Sequence, residues 1–442
     1  MAGQIEHILS SKNDKKSACV LGFNPIQLSR DKPIEKFEDH RTFRDVLTNL
    51  QNTVNYDTNS HAIINPVVGP EPVAGSSRMK GGSATAILLD CLCLKSLCSA
   101  KVFNDDHALM KSIGSKSMHA LFEMYQTAHN RTYSSLLSGS NCTHLRSTMS
   151  AASNSLLNGG RLFFIGSGSA GCVGFIDASE MPDTYGSPFD QIRGFVEGGW
   201  ENTDVGIGNS EGDMSAHSHL HRLSLQQFNE DFSQNLAEND TVIYLSTTPL
   251  VCMSNEMRCA LSKLTKPKLV MVNCTDSGLY SSNMDYVTEG SSIDDLSELI
   301  QKCTAVIAVD LAGVFPYAKI QNEKEFKVLA SCDGIFAYSL KIVTNAISTY
   351  AQAAGRGALF KGLMVSTGPA NDKIYQRCVN LIAETVMKGK GNLNENAKVD
   401  TFQRYAYTLF HYYCFTVPFT IISLGLVLTT FSTLLYSTLL SQ

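Results

Sequence analysis

Short apolar runs bounded by Gly, Pro or Asn recur along the chain at 18–22, 162–165, 241–246, 268–273 and 305–309. Runs of that length, rich in β-branched and aromatic residues and without strict alternation, predict strands buried on both faces. Between them the apolar positions fall at helical spacing. Helices are expected near 42–53, from about 82 to 101, over 106–131 and 144–157, and again over 223–236 and 254–264. From residue 161 onward strand and helix alternate, which predicts a parallel sheet covered on both faces. Ahead of it stands one strand, 18–22, and a single strand cannot make a doubly wound sheet. Its ACVLGFN resembles the LVMVN of 269–273, each a buried strand ending in Asn, so the N-terminal piece reads as the back half of a domain.

Composition narrows the class. With 442 residues, 43% hydrophobic and 17% charged, the chain can build two or three domains with a sizeable core. A net charge of −5 and no basic run give no reason to expect nucleic acid or an anionic membrane as partner. The 13 cysteines form no CxxC pair and lie mostly in apolar runs, as Cys91, Cys93 and Cys98 do, which reads as reduced core thiols in a cytosolic protein. The opening MAGQIEHILSSKNDKK has no apolar signal-peptide core, so the sequons at Asn130, Asn141 and Asn273 read as chance matches. After Arg404 there is no Asp, Glu, Lys or Arg, and 415–440 is almost wholly apolar or Thr/Ser and long enough to span a bilayer. A membrane anchor, a buried helix pair and a non-native tail all stay open there. His217, His219 and His221 would share one face of an extended segment, as zinc ligands can, but they sit in a polar insert without Cys or carboxylate at ligand spacing. A solvated loop is the reading, and no metal or cofactor is expected.

Two segments carry candidate chemistry. The first is the loop Gly166-Ser167-Gly168-Ser169-Ala170-Gly171, between an apolar strand and a helix. Backbone N–H groups at a helix N-terminus beside small hydroxyls make an anion site, with Ser167 and Ser169 as donors to a phosphate monoester. No Gly-Lys-Ser/Thr follows, so this is not a P-loop, and the acid that a dinucleotide site places after a second strand is not in evidence. The alternative is a tight strand–helix turn without ligand. Glu180, just beyond, would bring acid–base chemistry. The second segment is Ser76-Ser77-Arg78-Met79-Lys80, directly before a helix, where hydroxyls, two cations and helix N–H groups also suit a phosphate. Structural ion pairs of Arg78 and Lys80 across a domain seam are an equal alternative.

The motifs extend beyond these loops. GPEPVAGSSRMKGGSAT at 69–85 resembles the GPE…GS[ST]RMK signature of sugar isomerase (SIS) domain proteins, shared by N-acetylmuramic acid 6-phosphate etherases and glucokinase regulatory proteins. GSGSAGCVGFIDASEMPDTYG at 166–186 resembles the etherase motif GAGTSGRLGxxDASECPPTFG. In the etherases the DASE motif precedes RMK within one domain. Here RMK comes first, which is the order of the tandem-SIS regulatory proteins. The resemblance runs from about residue 18 to about 400. It implies an α/β fold with an SIS-type doubly wound parallel sheet in three α/β/α layers, a partial SIS domain before it and a helical C-terminal tail. The implied domains are 1–132, a C-terminal remnant of the first SIS domain, 133–370, the second, and 371–442, a helical tail with an apolar end.

The same resemblance implies a non-catalytic regulator, cytoplasmic or nuclear, that binds fructose 6-phosphate or fructose 1-phosphate and inhibits glucokinase, a hexokinase. Phosphate would be engaged by Ser76, Ser77, Arg78, Lys80 and Arg356, together with Ser167 and Ser169; Arg356 stands nearest the family's second-domain lysine. Glu180 matches the etherase acid/base, but the family's second carboxylate segment does not follow Glu197-Gly-Gly-Trp200. Cys172 stands where the family has Arg, and the second phosphate loop is reduced to Ser246-Thr247-Thr248-Pro249. No catalytic residue is therefore expected, and Glu180 reads as a helix or supporting residue. An etherase-like lyase and a truncated inactive product are the alternatives. The family's apolar glucokinase-contact segment falls near Val314 and Phe315, where the match is poor.

Overall fold

The structure, a computed structural model, describes residues 2–11, 16–34, 37, 39–56, 61–73, 76–99, 115–199, 223–277, 293–314, 333–360 and 363–364. The expected tail 371–442 with its apolar stretch 415–440, and the His217, His219 and His221 run, lie outside these residues. Among the described residues no helix is long and apolar enough to cross a membrane, and no group of His, Cys, Asp and Glu could hold a metal ion. The chain divides into two compact units, Met1–Pro72 with Ser77–Leu88, and Val73–Ser76 with Leu89–Gln442.

Among the described residues the first unit holds two strands, where one is expected. β1 (Ala18–Leu21) pairs in parallel with β2 (His61–Ile64), and α2 (Phe43–Tyr56) makes the crossover between them. β2 is only HAII, too short to stand out in the sequence. α2 opens on a capping box: Thr42 Oγ1 accepts from Asp45 N–H at 3.2 Å, and Asp45 Oδ2 accepts from Thr42 N–H at 2.8 Å. The helix buries Val46, Leu47 and Leu50 against Ile5 of α1 (Ala2–Ser10) and Ala18 of β1. α3 (Lys80–Ser99) starts in this unit.

The second unit is built on a five-stranded, wholly parallel sheet in the order β4-β3-β5-β6-β7, from β3 (Leu162–Gly166), β4 (Ile192–Val196), β5 (Thr241–Ser246), β6 (Lys268–Thr275) and β7 (Ala305–Asp310). β4, IRGFV, is not among the expected strands. Its Arg193 and Gly194 interrupt the apolar run, yet all five residues are buried. Arg193 is accommodated over the rings of Phe189 and Phe195, at 4.7 and 5.4 Å, and by Asp190 at 2.8 Å. Gly194 is required by close approach: a Cβ there would lie 2.3 Å from the Phe175 Cα.

One face of the sheet packs Phe163, Ile165, Phe195, Val242, Tyr244 and Met271 against residues 225–235, α7 (Asn255–Ser262) and α8 (Ile293–Lys302). The expected helix over 223–236 is instead a succession of short α, π and 3-10 turns, whose Phe228 and Phe232 both lie against Phe163 and Phe195. On the other face lie α5 (Gly139–Leu157), α6 (Gly168–Tyr185) and α9 (Gly334–Tyr350), completing the three-layer α/β/α arrangement. α4 (Met118–Leu136) packs on α9 through Tyr125 against Tyr338 and a Thr132–Ser339 hydrogen bond of 2.9 Å, so the expected boundary at 132/133 falls inside a helix of this unit. Asn141 of α5 clamps the edge strand: its Nδ2 donates to Ala308 O at 2.7 Å and its Oδ1 accepts from Ala308 N–H at 3.1 Å. Asn273 Nδ2 donates to Thr248 O at 2.5 Å, so the sequon side chains of Asn141 and Asn273 serve the fold.

Candidate functional site

The order β4-β3-β5-β6-β7 places a switch point between β3 and β5, because the chain leaves β3 first to one side and then returns to the other. Ligands of open α/β sheets bind in the crevice beyond the strand ends at such a point. Two loops border it here. Ser167 and Ser169 follow β3, at the start of α6, while Thr247 follows β5 and Ser254 caps α7. Each of these four hydroxyls donates to a carboxylate of the same chain. Ser167 and Ser254 donate to the two oxygens of Glu197. Ser169 donates to Asp333 Oδ2, and Thr247 reaches the same oxygen at 2.7 Å. Ser246 Oγ, at the end of β5, donates to Thr248 O at 2.7 Å.

The carboxylates are held as firmly as the hydroxyls. Glu197 directly follows β4, and its N–H donates to Gly166 O at 3.0 Å. Asp333 is buried immediately before α9, and burial raises its pKa, opposed by the Ser169 and Thr247 hydrogen bonds. Asp90, which takes the Tyr125 hydroxyl at 2.7 Å, is raised for the same reason. It lies beside the start of α9, since a Cβ on Gly334 would be 2.7 Å from its Oδ2. Glu197 and Asp333 were not legible as partners of the loop. The one sequence signal was Asp333-Gly334 ahead of an apolar helical run, an N-cap pattern.

The RMK segment is arranged differently. The first N–H groups of α3 are already met: Glu71 Oε2 accepts from Lys80 N–H at 2.8 Å and Oε1 from Gly81 N–H at 2.7 Å. The Glu of GPE and the start of the RMK helix are thus the two halves of one helix cap. Ser77 and Lys80 are exposed, whereas Ser76 and Arg78 are buried.

Arg356 and the glycine–serine loop stand at opposite ends of α6. Arg356 donates to Tyr185 O at 3.4 Å, Gly186 O at 3.1 Å and Gln352 Oε1 at 3.1 Å, so its guanidinium caps the C-terminus of α6. Burial lowers its pKa, yet a guanidinium stays charged. Eighteen residues of helix hold it about 25 Å from Ser167, so the two cannot share one phosphate. Glu180, half-buried on the same helix, lies about 17 Å along the axis from Ser169. Within this unit, therefore, the acid of the DASE motif and the glycine–serine loop cannot act on the same phosphate.

The order of the parallel sheet, the serine loop at its switch point and the helix that follows give the second unit an SIS-type three-layer α/β/α fold. Residues 139–257 match the family model for the second SIS domain of glucokinase regulatory protein. The glucokinase regulatory protein of Xenopus laevis is 28% identical over 384 residues, covering 86% of this chain and 54% of that one. The human protein of the same name is 30% identical over 231 residues, 52% of this chain and 33% of the relative. The N-acetylmuramic acid 6-phosphate etherase of Pasteurella multocida is 25% identical over 239 residues, 53% and 64% of the two chains. This chain thus spans about half the length of the Xenopus relative and a third of the human one.

Proposed function

We propose that this protein is a non-catalytic, sugar-phosphate-responsive regulator that inhibits a glucokinase, the kinase for which the regulatory relatives are named. The observation that carries the reading is the order of its parts: a GPE…RMK segment first, then a domain matching the second SIS domain of the regulatory proteins. The absence of catalysis is supported by the hydroxyl–carboxylate pairing at the β3–β5 crevice and by the distance of Glu180 from it. Ser76, Ser77, Arg78 and Lys80 are the residues assigned to the sugar phosphate, with exposed Lys80 and Ser77 meeting it first. Arg356, or Ser167 and Ser169, would add contacts only to separate ligands or through rearrangement. The mechanism is linkage: fructose 6-phosphate or fructose 1-phosphate favours one conformation, and that conformation sets affinity for the kinase.

Calorimetry on the full chain tests this reading. Heat with fructose 6-phosphate or fructose 1-phosphate, weakened roughly tenfold in Lys80→Ala, is expected from loss of one charge-assisted contact. No heat with either ligand overturns the proposal, as does glucokinase activity that the chain leaves untouched. The etherase relatives and the DASE helix favour a second reading, a lyase on N-acetylmuramic acid 6-phosphate. D-lactate release that vanishes in Glu180→Gln would establish it; none is expected.

A further inference from the structure

The switch-point crevice already has an occupant. Its bordering loops supply hydroxyls from two distant parts of the chain, Ser167 and Ser254, and one carboxylate, Glu197, accepts from both on its two oxygens. Two phosphate oxygens would make the same pair of contacts, since charge-assisted O–H···O⁻ bonds suit either anion. The backbone that carries Glu197 is tied to the loop it serves, through its N–H to Gly166 O at 3.0 Å and the Gly166–Val196 register of β3 and β4. Asp333 repeats the arrangement with Ser169 and Thr247, so these four hydroxyls end on carboxylates.

We propose that Glu197 is a built-in anion that sets the specificity of the Gly166–Gly171 loop. It holds the place of a phosphate, excludes phosphate monoesters from the β3–β5 crevice, and its removal opens the loop to them. The physical reason is twofold. An incoming dianion meets a like charge at contact distance in a half-buried setting, where water screens little. It also finds its hydroxyl donors engaged. The inference concerns the second unit alone and does not rest on the regulator reading.

The test titrates inorganic phosphate into the full chain by calorimetry, in a Lys80→Ala background that weakens any binding at the RMK segment equally in parent and variant. Glu197→Ala should bind phosphate at least about tenfold more tightly than its parent, the gain of one freed charge-assisted donor, and adding Ser167→Ala should abolish the gain. Glu197→Gln, which keeps one acceptor oxygen, should fall between. A folded Glu197→Ala chain that binds phosphate no more tightly overturns the proposal. Hydrogen exchange of the amides at 167–171 in the parent chain gives a second measurement independent of the variant's folding. Phosphate should leave those amides unchanged, and phosphate-induced protection there overturns the proposal too. A wild-type chain silent to both fructose phosphates, alongside a gain in Glu197→Ala, would refute the regulator reading and leave this one standing.

Discussion

Glu71→Ala should loosen the start of α3 and little else. The carboxylate accepts from Lys80 N–H at 2.8 Å and from Gly81 N–H at 2.7 Å. Lys80 is exposed, so water replaces its lost partner; Gly81 is buried, and its N–H stays unmet. Losing a helix cap costs about 1 kcal/mol, an unmet buried donor roughly 1–3 kcal/mol, and a lost charge at a helix N-terminus about 0.3–1 kcal/mol. These overlap in one group, so the expected total is about 2–3 kcal/mol. Hydrogen exchange of the amides at 80–84 reads the local cost directly. It should accelerate roughly 30- to 150-fold in Glu71→Ala, and less in Glu71→Gln, which keeps one acceptor. Exchange within about threefold of wild type would refute the assignment of GPE and RMK as one cap.

Three further outcomes follow from the second unit. Burial raises the Asp333 pKa above 3.8, so its proton favours the fold below that pH, and the contribution is lost as pH rises through the raised value. Denaturation from about pH 4 to neutral should show wild type losing stability relative to Asp333→Asn; a flat difference would refute it. Gly194→Ala places a Cβ 2.3 Å from the Phe175 Cα and 2.5 Å from its N, so α6 must move, costing about 3 kcal/mol or more; an unchanged melting temperature would contradict the close approach. Asn141→Ala removes both bonds to Ala308 and should cost roughly 1–3 kcal/mol while baring the β7 edge. Sedimentation should then show concentration-dependent association, and a variant as stable and monodisperse as wild type would argue against the clamp.

Much of the scaffold was legible because its signals are local. β3, β5, β6 and β7 are apolar runs of the right length, and the alternation with helices predicts a parallel, two-faced sheet. β4 was hidden because Arg193 and Gly194 break its apolar run. The reasons for both residues, the Phe189 and Phe195 rings and the backbone of Phe175, lie in other elements. β2 was hidden by its brevity. The helical pattern over 223–236 misled because Phe228 and Phe232 follow the aromatic surface of the sheet, which bends the segment into π and 3-10 turns.

The candidate site divides along the same line. The sequence by itself determined which groups are present: the Gly166–Gly171 turn, its serines, the RMK helix start and the acid of the DASE motif, all set by short-range backbone geometry. Only the tertiary structure decided where their hydrogen bonds go. Ser169 ends on Asp333, 164 residues away, Ser254 on Glu197, 57 away, and the cations of RMK sit beside a helix end that Glu71 already caps. Hydrogen-bond partners are chosen by strand order and loop convergence, which no local period encodes, so a loop that reads as a phosphate site is, once folded, a site furnished with its own anions.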